Sequence, residues 1–390
     1  MKNFWALTGY EYKKLLKRKI IWITLVVLTA FAVFSVCGAL MENVYVEGEA
    51  VSTHYEMIQR DRKAAAQFEG KKIDTEMLSH LVELEQKDSD EIPNDLFSIV
   101  LTIRRNAGKT DHLEESLYKF DGDLYQVRYQ ALEEHWKSDF FTAGEKAELR
   151  ELNQKLKTPY TYHYAQGYEK MIRLEYALAV LQSLLIAICV PLIFAEEHQR
   201  KTAQVIMCSR LGRSSLFQAK MFTGITFSIL STVLLFATML IPSALIYGRS
   251  GFKTQIQVYF PMLPWNLNMG EMLLILFGIG IMSAVLESII AMFLAEKFRS
   301  STVPMAILVG FLILSSFMSI PDQYRALSRV WACIPVNLMN AANAFGDKLI
   351  SVFGNYTGIW QAGPAFYLII SIVLTGIVYY IYNTYQVKEK

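Results

Sequence analysis

The sequence predicts an all-α membrane protein: six transmembrane helices, an N-terminal interfacial helix, a mostly helical extracellular domain between spans one and two, and re-entrant helices before span six. Three observations carry this reading. Only 19% of the 390 residues are charged, against roughly 25% in a soluble domain. Six long runs lack charge almost entirely, and several are apolar on every face, which a helix on a soluble core does not need. Lys and Arg gather in alternate connections.

The first 19 residues hold Lys2, Lys13, Lys14, Lys17, Arg18 and Lys19. Within Phe4–Ile20, Phe4, Trp5, Leu7, Tyr12, Leu15 and Leu16 are expected to line one side and Lys13, Lys14 and Lys17 another. Such a helix lies in the interface, with its lysines at anionic headgroups. Span one is the uncharged 20–41 run; it exceeds a signal-peptide core and lacks a small-x-small end, so it reads as a permanent span. The other spans fall near 176–195, 221–248, 272–295, 300–321 and 364–385.

Orientation follows from the loops. The N-terminal segment, the 196–220 loop, the 296–299 turn and the tail, which ends in Lys388 and Lys390, together hold 15 basic and 5 acidic residues. Six spans place all four on one side, which the basic excess assigns to the cytoplasm, with both termini inside a bacterial cell membrane. The rest of the chain is acidic, so the overall charge of +2 conceals an asymmetry and gives no nucleic-acid signature.

Residues 42–175 are the one large soluble segment, with 18 basic and 27 acidic residues. Glu, Lys, Leu, Gln and Ala abound and strand-like alternation is scarce, which predicts helices over 54–69, 75–87, 94–107, 111–137 and 143–157. Asn94 or Asp95 after Pro93, and Thr142, read as helix starts. From Tyr160 the chain is expected to run helically into span two. The acidic surface either solvates the segment or grips cationic peptides.

Enzyme signals are lacking. Gly108-Lys109-Thr110 resembles the end of a phosphate loop, but the glycine needed five positions earlier is Ile103. His80, His112, His135 and His163 have no metal-ligand spacing, and Cys37, Cys189, Cys208 and Cys333 read as free thiols. No metal or cofactor is expected in this chain.

The 196–220 loop is the most informative stretch. Glu196 and Glu197 end span two; two short helices joined at Ser209–Gly212 are expected to follow, with Val205, Ile206 and Leu211 forming an apolar face among charges. A solvated connector does not need that face, whereas a helix docking into a partner's groove does. Here the chain resembles the ABC type-2 permease family, the membrane subunits of ABC transporters. In that family span two ends in Glu, followed by Gly-Thr, an apolar trio, Pro-x-Ser-Arg and a Lys opening span three. Glu197, Thr202, Val205-Ile206-Met207, Arg213 and Lys220 match without gaps, while Lys201 replaces the Gly and Arg210 the Pro. The resemblance covers the chain apart from the 42–175 insert. It implies pairing with a second permease copy or paralogue and binding of two cytoplasmic ABC ATPase subunits. ATP and Mg would sit on those partners. The loop formed by Glu197, Thr202, Val205, Ile206, Met207, Leu211 and Arg213 would then be the coupling element, and the N-terminal helix the elbow beside it.

In the last third, Val330–Gly346 is uncharged, too short to span and broken by Pro335, so it reads as a re-entrant hairpin or as an amphipathic extracellular loop. Asn337 and Asn340, with Asn343, are candidates for an outer gate. Glu287 reads as the one ionisable residue buried within a span, either on a translocation pathway or in a structural hydrogen bond. Gly278, Gly280, Ser283 and Ala284 on the same span favour close helix packing. The leading expectation is an ABC transporter permease, with antimicrobial peptides or other amphipathic molecules as a candidate cargo class suggested by the outside domain and the direction, export, resting on the resemblance. Its rivals are a non-transporting subunit with a sensing or assembly domain, and an ion-coupled secondary transporter, which predicts internal repeats and several buried charges.

Overall fold

The computed structural model describes residues 2–41, 43–46, 49–87, 91–108, 118, 123–209 and 211–384. Lys109, Thr110, the predicted helix start at 111, His112, Arg210, Lys388 and Lys390 lie outside the described residues.

In chain order the helices are α1 Lys2–Leu16, α2 Lys19–Cys37, α3 His54–Ala66, α4 Thr75–Gln86, α5 Asn94–Asn106, α6 Leu124–Trp136, α7 Ala143–Gln154, α8 Gln166–Cys189 and α9 Leu192–Gln199. They continue as α10 Ala203–Met207, α11 Ser214–Tyr247, α12 Met269–Phe298, α13 Thr302–Phe317, α14 Arg325–Ala332, α15 Pro335–Leu338, α16 Ala341–Ala344 and α17 Ile359–Asn383. Two antiparallel hairpins interrupt the helical pattern, β1 Asn43–Val46 with β2 Glu49–Thr53, and β3 Leu349–Val352 with β4 Asn355–Gly358. The second turns at Phe353 and Gly354, both at positive φ, the twist that two-residue hairpins favour.

Among the described residues, five helices are long and apolar enough to cross a membrane: α2, α8 continued through Pro191 into α9, α11, α12 and α17. This is a membrane-embedded protein. Predicted span five is the 16-residue α13, about 24 Å at 1.5 Å per residue and short of the ~30 Å hydrocarbon core. Its helix stops at Phe317 and the backbone is extended at Met318, three residues before Pro321. The two ends of α13 lie on opposite sides of the bundle. Near its start, Ser301 accepts from Gln199 at the end of α9; near its stop, Ser316 O accepts from Tyr176 in the insert-proximal half of α8, and Met318 O from Trp331.

Helix α12 is the centre of the bundle, packed against α17, α11, α8 and α13. Ser283, Ala284 and Ala291 are fully buried on it, and Gly280 is buried beside them, small residues that let neighbouring backbones approach. The sequence expectation for α1 needs correction. Its buried face is Thr8, Glu11 and Leu15 against α11, while Trp5, Tyr10 and Leu16 point outward. The helix is turned by an ion pair described below, which leaves the aromatic side for the surroundings.

Helices α3, α4, α5 and α7 begin at the predicted positions, whereas α6 begins only at Leu124, capped by Asp123, well inside the predicted 111–137 helix. Thr142 and Glu145 form a reciprocal capping box on α7, and Thr53 and Glu56 do so on α3. Tyr160–Ala165 is not helical, contrary to expectation; Tyr160 and Tyr162 pair by backbone with Ile73, Lys71 and Gly70, and α8 starts at Gln166. The insert is fused to the membrane helices through buried polar contacts. Arg128 on α6 donates to the carbonyls of Pro261 and Leu263 in the α11–α12 connection. Asp95, at the start of α5, accepts from Tyr259 (2.8 Å), from Tyr162 (3.3 Å) and from Gln166 (3.1 Å), which also donates to Asp61.

Burial, and then the neighbouring Asp61 carboxylate, push the Asp95 pKa from 3.8 up to about 7, outweighing the hydrogen bonds from Tyr259 and Gln166. Burial raises Asp61 as well. At this pair the folded chain binds more protons than the unfolded chain between about pH 4 and 7, so the pair's contribution to stability is greatest at the acid end and falls as pH rises through that window. The melting temperature of the detergent-solubilised chain is expected to be higher at pH 6 than at pH 8, by on the order of a few degrees, with Asp95→Asn flattening the difference. A melting temperature that climbs from pH 6 to 8 in the wild type contradicts this assignment.

Candidate functional site

The loop after α9 is built by a left-handed turn. Arg200 closes α9 and the next residue, Lys201, sits at φ 57° with its N–H on the carbonyl of His198. This is the position where helices favour glycine, because an L side chain there crowds the following carbonyl. Lys201→Gly is therefore expected to stabilise the chain by about 0.5–1 kcal/mol, the relief of strain exceeding the added freedom of the unfolded state. A lowered melting temperature for that variant would sink the reading.

From there Thr202 folds back, its N–H and hydroxyl both on Glu197 O, at 3.0 and 3.4 Å. The five-residue α10 follows. It buries Ala203 and Met207 and presents Val205, 77% exposed, with Ile206 half-buried. Leu211 is 37% exposed beyond it. The expected second short helix is absent as a separate element: the segment from Ser214 is already the first turn of α11. Met207 thus belongs to the core and not to the exposed face. Gly212 passes so close to Ile206 that a Cβ on it would stand 1.7 Å from that carbonyl oxygen, so the turn admits no side chain there. Tyr382 donates to Gly212 O, and Arg213 reaches Met207 O and Asn383 O, which bind the loop to the end of α17.

Behind this surface lies a buried ionic clasp. Lys220, with no exposed surface, donates to Ile193 O at 2.7 Å and pairs with Glu197 at 3.0 Å and Glu11 at 3.4 Å. Lys14 pairs with the same two carboxylates, Glu11 at 2.5 Å and Glu197 at 3.2 Å. Two cations thus meet two anions. Burial opposes the charge on Lys14, yet Glu11 and Glu197 outweigh it and hold its pKa above the ordinary lysine value. Phe194, Phe217 and Tyr382 pack edge to face around the clasp, with the Lys220 ammonium 5.5 Å from the Phe194 ring centre. Arg18 and Arg200 pair with Glu196, and His198 faces Glu296 of α12 at 3.1 Å. Glu197 is therefore an internal anchor between α1, α9 and α11.

The second array lies inside the bundle, where α8 meets α12. Glu287 accepts from Ser183 at 2.7 Å through one oxygen, while its other oxygen is buried with no hydrogen-bond partner. Gln182 donates to Gly280 O. Glu287 does not stand alone: Glu175 lies on α8, 1% exposed, with neither carboxylate oxygen hydrogen-bonded. The helix starts ten residues before the predicted span, which places this carboxylate inside it. Asn337 is buried and donates to Trp331 O, and Asn340 accepts from Ala342 N as the cap of α16. Both are occupied in closing the short α14–α16 segment.

Sequence reading missed Glu11, Lys14 and Glu175 as site residues and gave Lys220 no role beyond its motif match. One signal was present: Glu11 is the only acidic residue in the basic N-terminal segment. No known protein family, curated protein or solved structure matches this chain.

Proposed function

We propose that this chain is the permease subunit of an ABC transporter in a bacterial cell membrane, with the α9–α11 loop seated on a cytoplasmic ATPase subunit. The observation that carries the reading is the pairing of two opposite features at one end of the bundle. Val205 and Leu211 are exposed apolar side chains, while directly behind them the loop is fixed to α1, α11 and α17. A rigid lever with an apolar tip transmits a push; a slack loop would absorb it. In this reading α13, completed by the extended residues that follow it, makes the sixth crossing. Support comes from the chain ends: α1 and the end of α17 both touch the 197–213 loop, which requires an even number of crossings between them. Both termini are then cytoplasmic, α1 is the interfacial elbow, and the insert is extracellular. The chain pairs with a second permease, and ATP and Mg bind the partner subunits. Export is the direction that the family resemblance favours.

The test is copurification from the source membrane. An ATP-hydrolysing subunit is expected to accompany the wild-type chain and to be lost at least tenfold with Val205→Asp and Leu211→Asp combined, each an exposed site whose change leaves the fold intact. Full retention by the folded double variant would refute the docking site.

A second reading, ion-coupled transport, gains from Glu175 and Glu287 as two buried carboxylates on facing helices. It predicts that Glu175→Gln with Glu287→Gln abolishes gradient-driven uptake in vesicles without ATP, whereas the permease reading predicts no such uptake in the wild type.

A further inference from the structure

At the insert end of the bundle, α12, α13 and α17 enclose a cavity of about 840 Å³, roofed by α14 and the β3–β4 hairpin. Its walls are almost wholly apolar, with Leu286 and Ile290 as the floor and Phe311, Phe366 and Ile370 at the sides. Volumes of roughly 300–1,000 Å³ with few polar groups characterise sites for ligands that are mostly hydrocarbon.

The roof fixes the depth of this cavity in a bilayer. Helix α14 is strongly amphipathic: Leu327 and Val330 are exposed on one side, continuous with the exposed Phe317 and Met318, while Arg325 and Arg329 point to the other. A helix of that character lies along the boundary between hydrocarbon and headgroups. The cavity therefore opens at the level of the acyl chains of one leaflet, with the two arginines at headgroup level.

Arg325 and Arg329 line the cavity mouth, and both pair with one carboxylate, Glu145. Lys348 pairs with Asp322 at 2.8 Å, and His135 lies 2.9 Å from Asp347. Arg325 remains about one-third exposed, and an exposed guanidinium suits a phosphate oxygen. A second copy of the chain fits less well. A two-fold contact sets the same patch against itself, so a concave apolar wall would meet another and enlarge the void, and the two arginine pairs would face each other.

We infer that this cavity holds one acyl chain of a glycerophospholipid from the adjoining leaflet, with the phosphate at Arg325 and Arg329. The site depends on membrane embedding and not on the transport reading. Native mass spectrometry of the full chain, released from mixed micelles with equal phosphatidylglycerol and diacylglycerol of the same acyl chains, tests it. One phosphatidylglycerol is expected to be retained about tenfold over the diacylglycerol, which lacks the phosphate, the ratio that one charge-assisted hydrogen bond supplies. Arg325→Gln is expected to bring the two lipids to parity. Ile290→Trp fills the cavity from the floor and Ala326→Trp from the roof, so that a folding failure of one leaves the other decisive; each is expected to lose the retained lipid. Parity in the wild type, retention unchanged in a folded Trp variant, or a dimer that excludes lipid from the cavity would each overturn the inference.

Discussion

Lys220→Met is expected to lower the unfolding free energy by about 3–5 kcal/mol, the cost of leaving buried carboxylates without their cation. The ammonium is fully enclosed and holds three partners on two elements: Glu11 of α1, and Glu197 and the Ile193 carbonyl of α9. Methionine matches the stem but removes every donor. Lys14 remains, yet it is partly exposed and cannot neutralise both glutamates. Helix α1 should then loosen from α11, visible as faster proteolysis at the N-terminal lysines. Adding Glu11→Gln to Lys220→Met is expected to restore part of the loss, because one uncompensated charge disappears; a double-mutant cycle measures the coupling. Stability equal to the wild type in Lys220→Met would show that the clasp is not holding α1.

The second large effect is expected at the other end of the bundle. Glu145→Ala removes the carboxylate that Arg325 and Arg329 share, together with the N3 half of the α7 capping box. Arg325 is about one-third exposed, so solvent screens part of its pairing, and the loss is expected to be about 2–4 kcal/mol, less than a fully buried site would give. Glu145→Gln separates the two contributions. Glutamine at N3 can still accept from the Thr142 N–H, so the cap persists while the charge pairing goes, and the loss should be smaller by about 1 kcal/mol. Amide hydrogen exchange should rise in α7 and α14 together in Glu145→Ala. A rise confined to α7 would mean that the arginines contribute nothing to holding the insert.

Much of the architecture was legible because membrane helices and capped helices leave local signals. Runs without charge located α2, α11 and α12, and Thr142 with Glu145 announced the start of α7. What escaped was mostly non-local. A charge-free run necessarily stops at the first charge, so Glu175 closed the predicted span from outside although α8 carries it within. The clasp joins residues about 200 positions apart, and such pairs have no period to detect. The same pairing turned α1 so that Glu11 faced inward and Trp5 outward, against the amphipathic expectation. The β3–β4 hairpin depends on positive φ at Phe353, a residue type that gives no turn signal. In the loop, substitution of the expected glycine by Lys201 did not prevent the left-handed turn, since the flanking bonds from Thr202 to Glu197 hold the backbone there.

The loop also carries a natural reporter. Cys208 is exposed one residue beyond α10, whereas Cys189 is buried and Cys37 and Cys333 are partly so. A photo-crosslinker attached to Cys208 in native membranes tests the central proposal most directly. The account predicts a covalent adduct with an ATP-hydrolysing subunit, lost when Val205→Asp and Leu211→Asp are combined. Adducts with lipid or with the chain itself alone, in membranes where that subunit is present, would contradict it.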